Sequence, residues 1–155
     1  MLKIRKATAK DAEVLIDLYG NHLTQSPPKE PQHIDSWQNK IAKFETDPMY
    51  NIFVGEIDGR VASSATLVII ENLTRNMRSY AIIENVVTHT NFRGKGYAKS
   101  LIQKATEVAA EQGCYKIMLL TGSKEKSTLR FYENCGFNCT DKTGFVKWIV
   151  KPLSY

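Results

Sequence analysis

The stretch NVVTHTNFRGKGYAKSLIQKA (Asn85 to Ala105) joins a strand pattern to a helix pattern through a basic, glycine-punctuated turn, and it restricts the fold more than any other segment. Before the turn the residues are branched and apolar. From Ala98 the apolar positions Leu101, Ile102, Ala105, Val108 and Ala109 recur at helical spacing until Gly113 stops the run. A strand that passes straight into a helix in this way lines up several backbone amides at a helix N-terminus, where the dipole favours anions. Phosphate is the obvious guest. Gly94 and Gly96 permit close approach of its oxygens, and Arg93 or Lys95 can add charge-assisted contacts. The competing reading is a Gly-x-Gly turn that serves tight packing alone.

Two nucleotide-binding alternatives fail on spacing. A dinucleotide fingerprint would want a third glycine where Lys99 stands and an acidic residue at the end of the next strand, where LLTGS supplies none. A P-loop would need Gly-Lys followed by Ser or Thr, which is absent.

The rest of the chain supplies elements for one α+β domain over residues 1–155. Thr8 and Asp11 form a capping-box-like start to a first helix carrying Ala12, Leu15, Ile16, Tyr19 and Leu23. Pro27, Pro28 and Pro31 end it, and a second helix presents Ile34, Trp37, Ile41 and Phe44 on one face. Asp58-Gly59 splits NIFVGEIDGRVASSATLVII into two antiparallel strands. ENLTRNMRS loops out before a third strand, Tyr80 to His89. After the helix, YKIMLLT is expected to return as a strand by a β-α-β crossover, SKEKSTLRFYENCGF as a short helix, and FVKWIV (Phe145 to Val150) as a last strand.

Composition narrows the class. At 155 residues, 43% hydrophobic and 24% charged, the chain is ordinary for a globular domain. Charges near the start interrupt any signal-peptide core and no segment has the length of a membrane span, so a cytoplasmic protein without a membrane partner is expected. Cys114, Cys135 and Cys139 make no Cys-x-x-Cys pair, and His22, His33 and His89 are scattered; neither set has metal-ligand spacing, so no metal is expected. The net charge of +5 suits an anionic cofactor, and its even spread lacks the basic, aromatic stripe of a nucleic-acid binder.

THTNFRGKGYAKSLI and FYENCGF resemble the acetyl-CoA motif and the following helix-strand motif of the GNAT superfamily of N-acetyltransferases. Ile82 to Phe137 is similar to glucosamine 6-phosphate N-acetyltransferases in particular, through IEN, GCYKI and FYENCGF. The first 70 residues show no comparable likeness, so the sugar phosphate is not established as the substrate. The resemblance implies the GNAT fold, a mixed central sheet flanked by helices, with acetyl-CoA as cosubstrate. The family's Gln/Arg-x-x-Gly-x-Gly/Ala pattern falls on Asn91, Gly94 and Gly96, with Asn91 departing from it. It implies amides of Arg93, Gly94, Lys95, Gly96, Tyr97 and Ala98 for the pyrophosphate, and the Val86, Val87 and Thr88 backbone for pantetheine. Thr128 and Phe131 are implied beside the cofactor as well. Many members carry an asparagine ahead of the Phe-Tyr pair, and Ser127 and Thr128 stand there instead.

Acetyl transfer to an amine needs a neutral nucleophile, a stabilised oxyanion and a protonated thiol leaving group. Glu84, among apolar strand neighbours, is the candidate base, by desolvation; a water-facing charge paired with Arg78 is the alternative. A bulge near Val86 or Val87 would free an amide for the oxyanion. Tyr132 resembles the family tyrosine that meets the CoA sulfur, and its other reading is a core aromatic. Arg75 and Arg78, in ENLTRNMRS, are candidates for an anionic group on the substrate, with solvated loop charges as the other reading, and that loop and the Pro-rich segment 24–32 are free to shape the acceptor pocket. The expected function is transfer of acetyl to a primary amine of a small molecule by direct transfer in a ternary complex. A non-catalytic acyl-CoA sensor and an enzyme acting on a protein amine are the alternatives, and a homodimer is left open.

Overall fold

The computed structural model describes residues 1–23 and 30–149, and the chain forms two compact units, Met1–Leu119 and Leu120–Tyr155. The first unit is built on a five-stranded sheet in the order β1 (Lys3–Lys6), β2 (Tyr50–Ile57), β3 (Arg60–Ile70), β4 (Tyr80–Thr88) and β5 (Ile117–Leu119). The first four strands pair antiparallel, and β5 lies parallel to β4. That parallel pair requires a crossover, which helix α4 (Tyr97–Glu111) provides. The β2–β3 hairpin closes where expected, with Ile57 opposite Arg60. Asp58 (φ 49°) and Gly59 (φ 76°) both take the left-handed backbone that a two-residue turn matching the strand twist demands.

Residues 9–23 run as one helical segment, a 3-10 turn (Ala9–Asp11) leading into α1 (Ala12–Asp17) and a π turn (Leu18–Leu23). The capping arrangement at its start is present: the Thr8 amide donates to Asp11 Oδ2 at 2.7 Å. Helix α2 (Ile34–Glu45) follows. Segment 24–29 of the Pro-rich stretch lies outside the described residues.

Side-chain alternation divides the sheet into two buried faces. Val54 and Val87 pack with Ala12, Leu15, Leu18 and Ile41, flanked by Tyr19, Trp37 and Ile52, so α1 and α2 cover one face. Phe53, Ala65, Leu67, Ala81 and Ile83 point the other way and are buried, as are Leu101, Ile102, Ala105 and Ala109 of α4, which packs on β2, β3 and β4. The stretch ENLTRNMRS is an exposed loop as read, holding the short turn α3 (Thr74–Met77) with Arg75, Asn76 and Met77 all left-handed.

In the second unit, helix α5 (Lys126–Glu133) forms as expected. The expected last strand is corrected: Phe145 to Ile149 forms no strand, and Val150 lies outside the described residues. Phe145, Val146, Trp148 and Ile149 are exposed. Alternating apolar residues define a face, but a strand exists only with a hydrogen-bonded neighbour, which this segment lacks among the described residues.

Candidate active site

The middle of β4 is interrupted. Thr66 pairs with Glu84, yet Ser64 pairs with Val87, so β4 places two residues, Asn85 and Val86, against Ala65 alone. Asn85 absorbs the extra residue with φ 53°, the left-handed region that asparagine tolerates better than most residues. This is the bulge expected near Val86. It leaves the ladder short of one regular pairing at the centre of the sheet.

The other edge of β4 opens at the same level. Ala81, Ile82 and Ile83 pair with Ile117, Met118 and Leu119, and β5 ends there. From Glu84 to Thr88 no strand pairs with that edge among the described residues. Backbone groups of residues 86–88 that face this edge can meet an extended ligand with amide groups, which would add to β4 as a further strand does, while the Thr88 carbonyl also accepts from Arg93 Nε.

Six residues on, the chain enters the glycine turn. Gly96 is the N-cap of α4 with φ 80°, and Gly94 has φ 77°. A side chain at either glycine would meet no atom within 4 Å, so both backbones face open space. The first turn of α4 has no side-chain cap and no acidic residue, which leaves its N–H groups and the positive end of its dipole for an anion. The turn fits a pyrophosphate. Lys95 extends over the Phe92 ring with Nζ 5.4 Å from the centroid. The Arg93 side chain is engaged with the protein: Nε donates to the Thr88 carbonyl at 3.1 Å and Nη2 to the His22 carbonyl at 2.9 Å.

Glu84 lies on the α1–α2 face of the sheet and is exposed, so the shielding expected from its apolar neighbours is not present. Its charge is felt across two strands: burial first, and then Glu84, raise the Tyr50 phenol above its ordinary value. Tyr50 stacks on Phe44 of α2 at 3.8 Å. Nearby on this face, Tyr19 shares a 3.1 Å hydrogen bond with Ser64, and burial pushes its phenol up. Aromatic and hydroxyl groups on this face therefore come from β2, β3 and the π turn.

Arg75 and Arg78 sit elsewhere in the unit. The Arg75 guanidinium lies over the Tyr115 ring at 5.9 Å, and Arg78 Nε donates to the Gly113 carbonyl at 3.3 Å. Gly113 follows the C-terminal end of α4, roughly 22 Å of helix from the glycine turn at its start. The structure does not bring these arginines to that turn. In the second unit, Phe131 and Tyr132 lie in α5 with their rings 5.1 Å apart, Tyr132 also meets Phe137 edge-on, and the Thr128 hydroxyl hydrogen-bonds Ser123 at 3.2 Å.

Sequence reading missed Tyr19 and Tyr50, which meet Ser64 and the charge of Glu84 on strands far along the chain. It also missed a cluster of Asp17, His22 and His89, whose ligand atoms lie within 4.8 Å of one another. Asp17 and His22 share one helical segment, and His89 joins them only through the packing of the π turn against β4, which local spacing does not signal.

The family model for the acetyltransferase (GNAT) family matches residues 15–137. Glucosamine 6-phosphate N-acetyltransferase of Trypanosoma brucei brucei is 33% identical over 91% of this chain and 92% of its own length. The Arabidopsis thaliana enzyme of the same name is 28% identical over 88% and 89%. A solved structure of a candidate acetyltransferase from Agrobacterium tumefaciens superposes with a TM-score of 0.82 at 38% identity, covering 94% of this chain and 99% of that one. The likeness to the sugar-phosphate enzymes thus extends into the first 70 residues, contrary to the sequence reading. With the family model matched over most of its length and a third of the aligned residues identical to a relative that covers 91% of it, the chain belongs to the GNAT family of N-acetyltransferases, which use acyl-CoA.

Proposed function

We propose that the protein transfers acetyl from acetyl-CoA to the primary amine of a small molecule, directly and within a ternary complex. The observation that carries this reading is the coincidence, within residues 84–98, of the β4 bulge, the unpaired β4 edge and the open glycine turn. The amides of Gly94 to Ala98 meet the pyrophosphate, and the Val86 to Thr88 backbone meets pantetheine; the expected part of the Arg93 amide is corrected, because that N–H is spent on Thr90. Arg93 holds the turn instead: its N–H donates to the Thr90 carbonyl at 3.3 Å, and its side chain bonds the Thr88 and His22 carbonyls.

Glu84 takes the proton of the acceptor ammonium, directly or through water. Its exposure makes water relay the simpler route. The amide of Val86 or Val87, freed by the bulge, receives the developing oxyanion. Tyr132 returns a proton to the departing thiolate, a role supported by its place in FYENCGF. The family match runs through both compact units, which supports treating residues 1–155 as one acetyltransferase domain.

An amino sugar phosphate is the first acceptor to test, because the relatives named as glucosamine 6-phosphate N-acetyltransferases align with about nine-tenths of the chain. Thiol release from acetyl-CoA, measured with glucosamine 6-phosphate, glucosamine and a lysine peptide, tests the proposal. Release that depends on a small amine supports it. Release with the peptide alone transfers the activity to protein amines, and binding without release leaves an acyl-CoA sensor.

A further inference from the structure

The short 3-10 turn Thr90–Phe92 joins β4 to the glycine turn, so its placement sets where the phosphate-facing amides lie. Two imidazoles hold it. His89, just after β4, and His22, in the π turn after α1, have ring centroids 4.0 Å apart with the planes tilted by 38°. Each presents Nδ1 to an amide of the turn: Asn91 N–H donates to His89 Nδ1 at 3.1 Å, and Thr90 N–H to His22 Nδ1 at 3.4 Å.

A ring nitrogen that accepts an N–H carries no proton, so each neutral imidazole bears its proton on Nε2. For His22 that atom faces Asp17 Oδ2 at 3.4 Å, and Asn21 Nδ2 steadies the same carboxylate through Oδ1 at 2.8 Å. Arg93 fastens the other side by bonding the carbonyls of Thr88 and His22. The same cluster could be read as a metal site, but the Nδ1 lone pairs are taken by amides and the Nε2 atoms are protonated. This pattern is that of a hydrogen-bonded anchor.

We infer that His22 and His89 are positioning residues for acyl-CoA, acting through the Thr90 and Asn91 amides to hold the glycine turn in its binding form. The inference rests on reading turn 93–98 as the pyrophosphate site. Without the anchor the turn must be ordered when ligand arrives, and that cost appears as weaker affinity.

Calorimetric titration with desulfo-CoA tests it on the full chain and on His89→Ala, His89→Asn and His22→Asn, with circular dichroism to verify folding. His89→Ala should weaken binding by about fivefold to tenfold, the loss of one well-placed hydrogen bond. His89→Asn should recover most of it, because Oδ1 of asparagine accepts an N–H two residues on. His22→Asn, acting from a different element, should weaken binding less than His89→Ala. Equal affinity of His89→Ala and the unaltered chain would overturn the anchor, and so would equal weakening by alanine and asparagine, which would make the ring's packing the relevant property. No binding to the unaltered chain would overturn the pyrophosphate site itself. A zinc-induced rise in melting temperature that His22→Asn abolishes would make the cluster a metal centre instead.

Discussion

Glu84 is paired with Thr66 in the last regular register of β3 and β4 before the bulge, so the proposed base and the proposed oxyanion donor are fixed by the same local break in the ladder. Asn85 forms that break with its left-handed backbone. Asn85→Gly should keep the bulge and most of the activity. Asn85→Val should destabilise the fold by about 1–2 kcal/mol, since a β-branched residue resists positive φ, and should lower turnover further by shifting the Val86 amide. Denaturant midpoints with a thiol-release assay separate the two effects.

Glu84→Gln removes the base while leaving a side chain of the same size. If Glu84 deprotonates the acceptor, the loss in turnover should be largest near neutral pH and shrink as the amine loses its proton to solvent. A loss of equal size from pH 7 to about pH 10 would make Glu84 a substrate-orienting residue.

Tyr132→Phe removes one hydroxyl and keeps the ring against Phe131 and Phe137. Protonation of the thiolate by this phenol predicts a fall in kcat by a factor on the order of 10 to 1,000 with acyl-CoA affinity little changed. A packing role predicts instead a change of about 1 kcal/mol in stability and near-normal turnover.

Much of this was legible in sequence because it rests on local chemistry. Asp58-Gly59 can serve as a two-residue turn wherever it occurs, and Gly94-x-Gly96 opens a helix by the same logic. The exposure of Glu84 was not legible. Apolar neighbours along β4 predict a buried setting, but alternation puts Glu84 on the α1–α2 face, where cover depends on how far those helices extend. The failed strand at Phe145 to Ile149 has a related cause, because strand residues specify a face and not a partner. For Arg75 and Arg78 the sequence left a substrate contact and a solvated loop charge both open, and only the fold shows that they meet Tyr115 and the Gly113 carbonyl.

A stability prediction concerns Arg5 and Asp11, which are joined by two hydrogen bonds of 2.8 Å, with Arg5 also donating to Glu56 at 3.0 Å. Burial alone would raise the Asp11 carboxyl, but Arg5 and then the Thr8 amide outweigh it and hold it below the usual carboxylate range. A lowered folded value means the stabilisation is complete above the unfolded carboxyl's value, about 3.9, and is lost as pH falls through the folded one. Asp11→Asn should therefore cost about 1–3 kcal/mol at neutral pH, and its deficit relative to the unaltered chain should narrow below about pH 4. Urea unfolding at several pH values measures both.

Initial velocities of thiol release, with acetyl-CoA and glucosamine 6-phosphate varied together, distinguish direct transfer from acetyl-CoA held at the glycine turn from every other route. Direct transfer to a small primary amine predicts amine-dependent release with double-reciprocal lines that intersect, as a ternary complex requires, and a raised KM for acetyl-CoA in Gly96→Val, because a branched residue resists the φ of 80° at this position. Parallel lines would signal a covalent acetyl-enzyme, and saturable acetyl-CoA binding with no amine-dependent release from any small amine would contradict the enzymatic reading altogether.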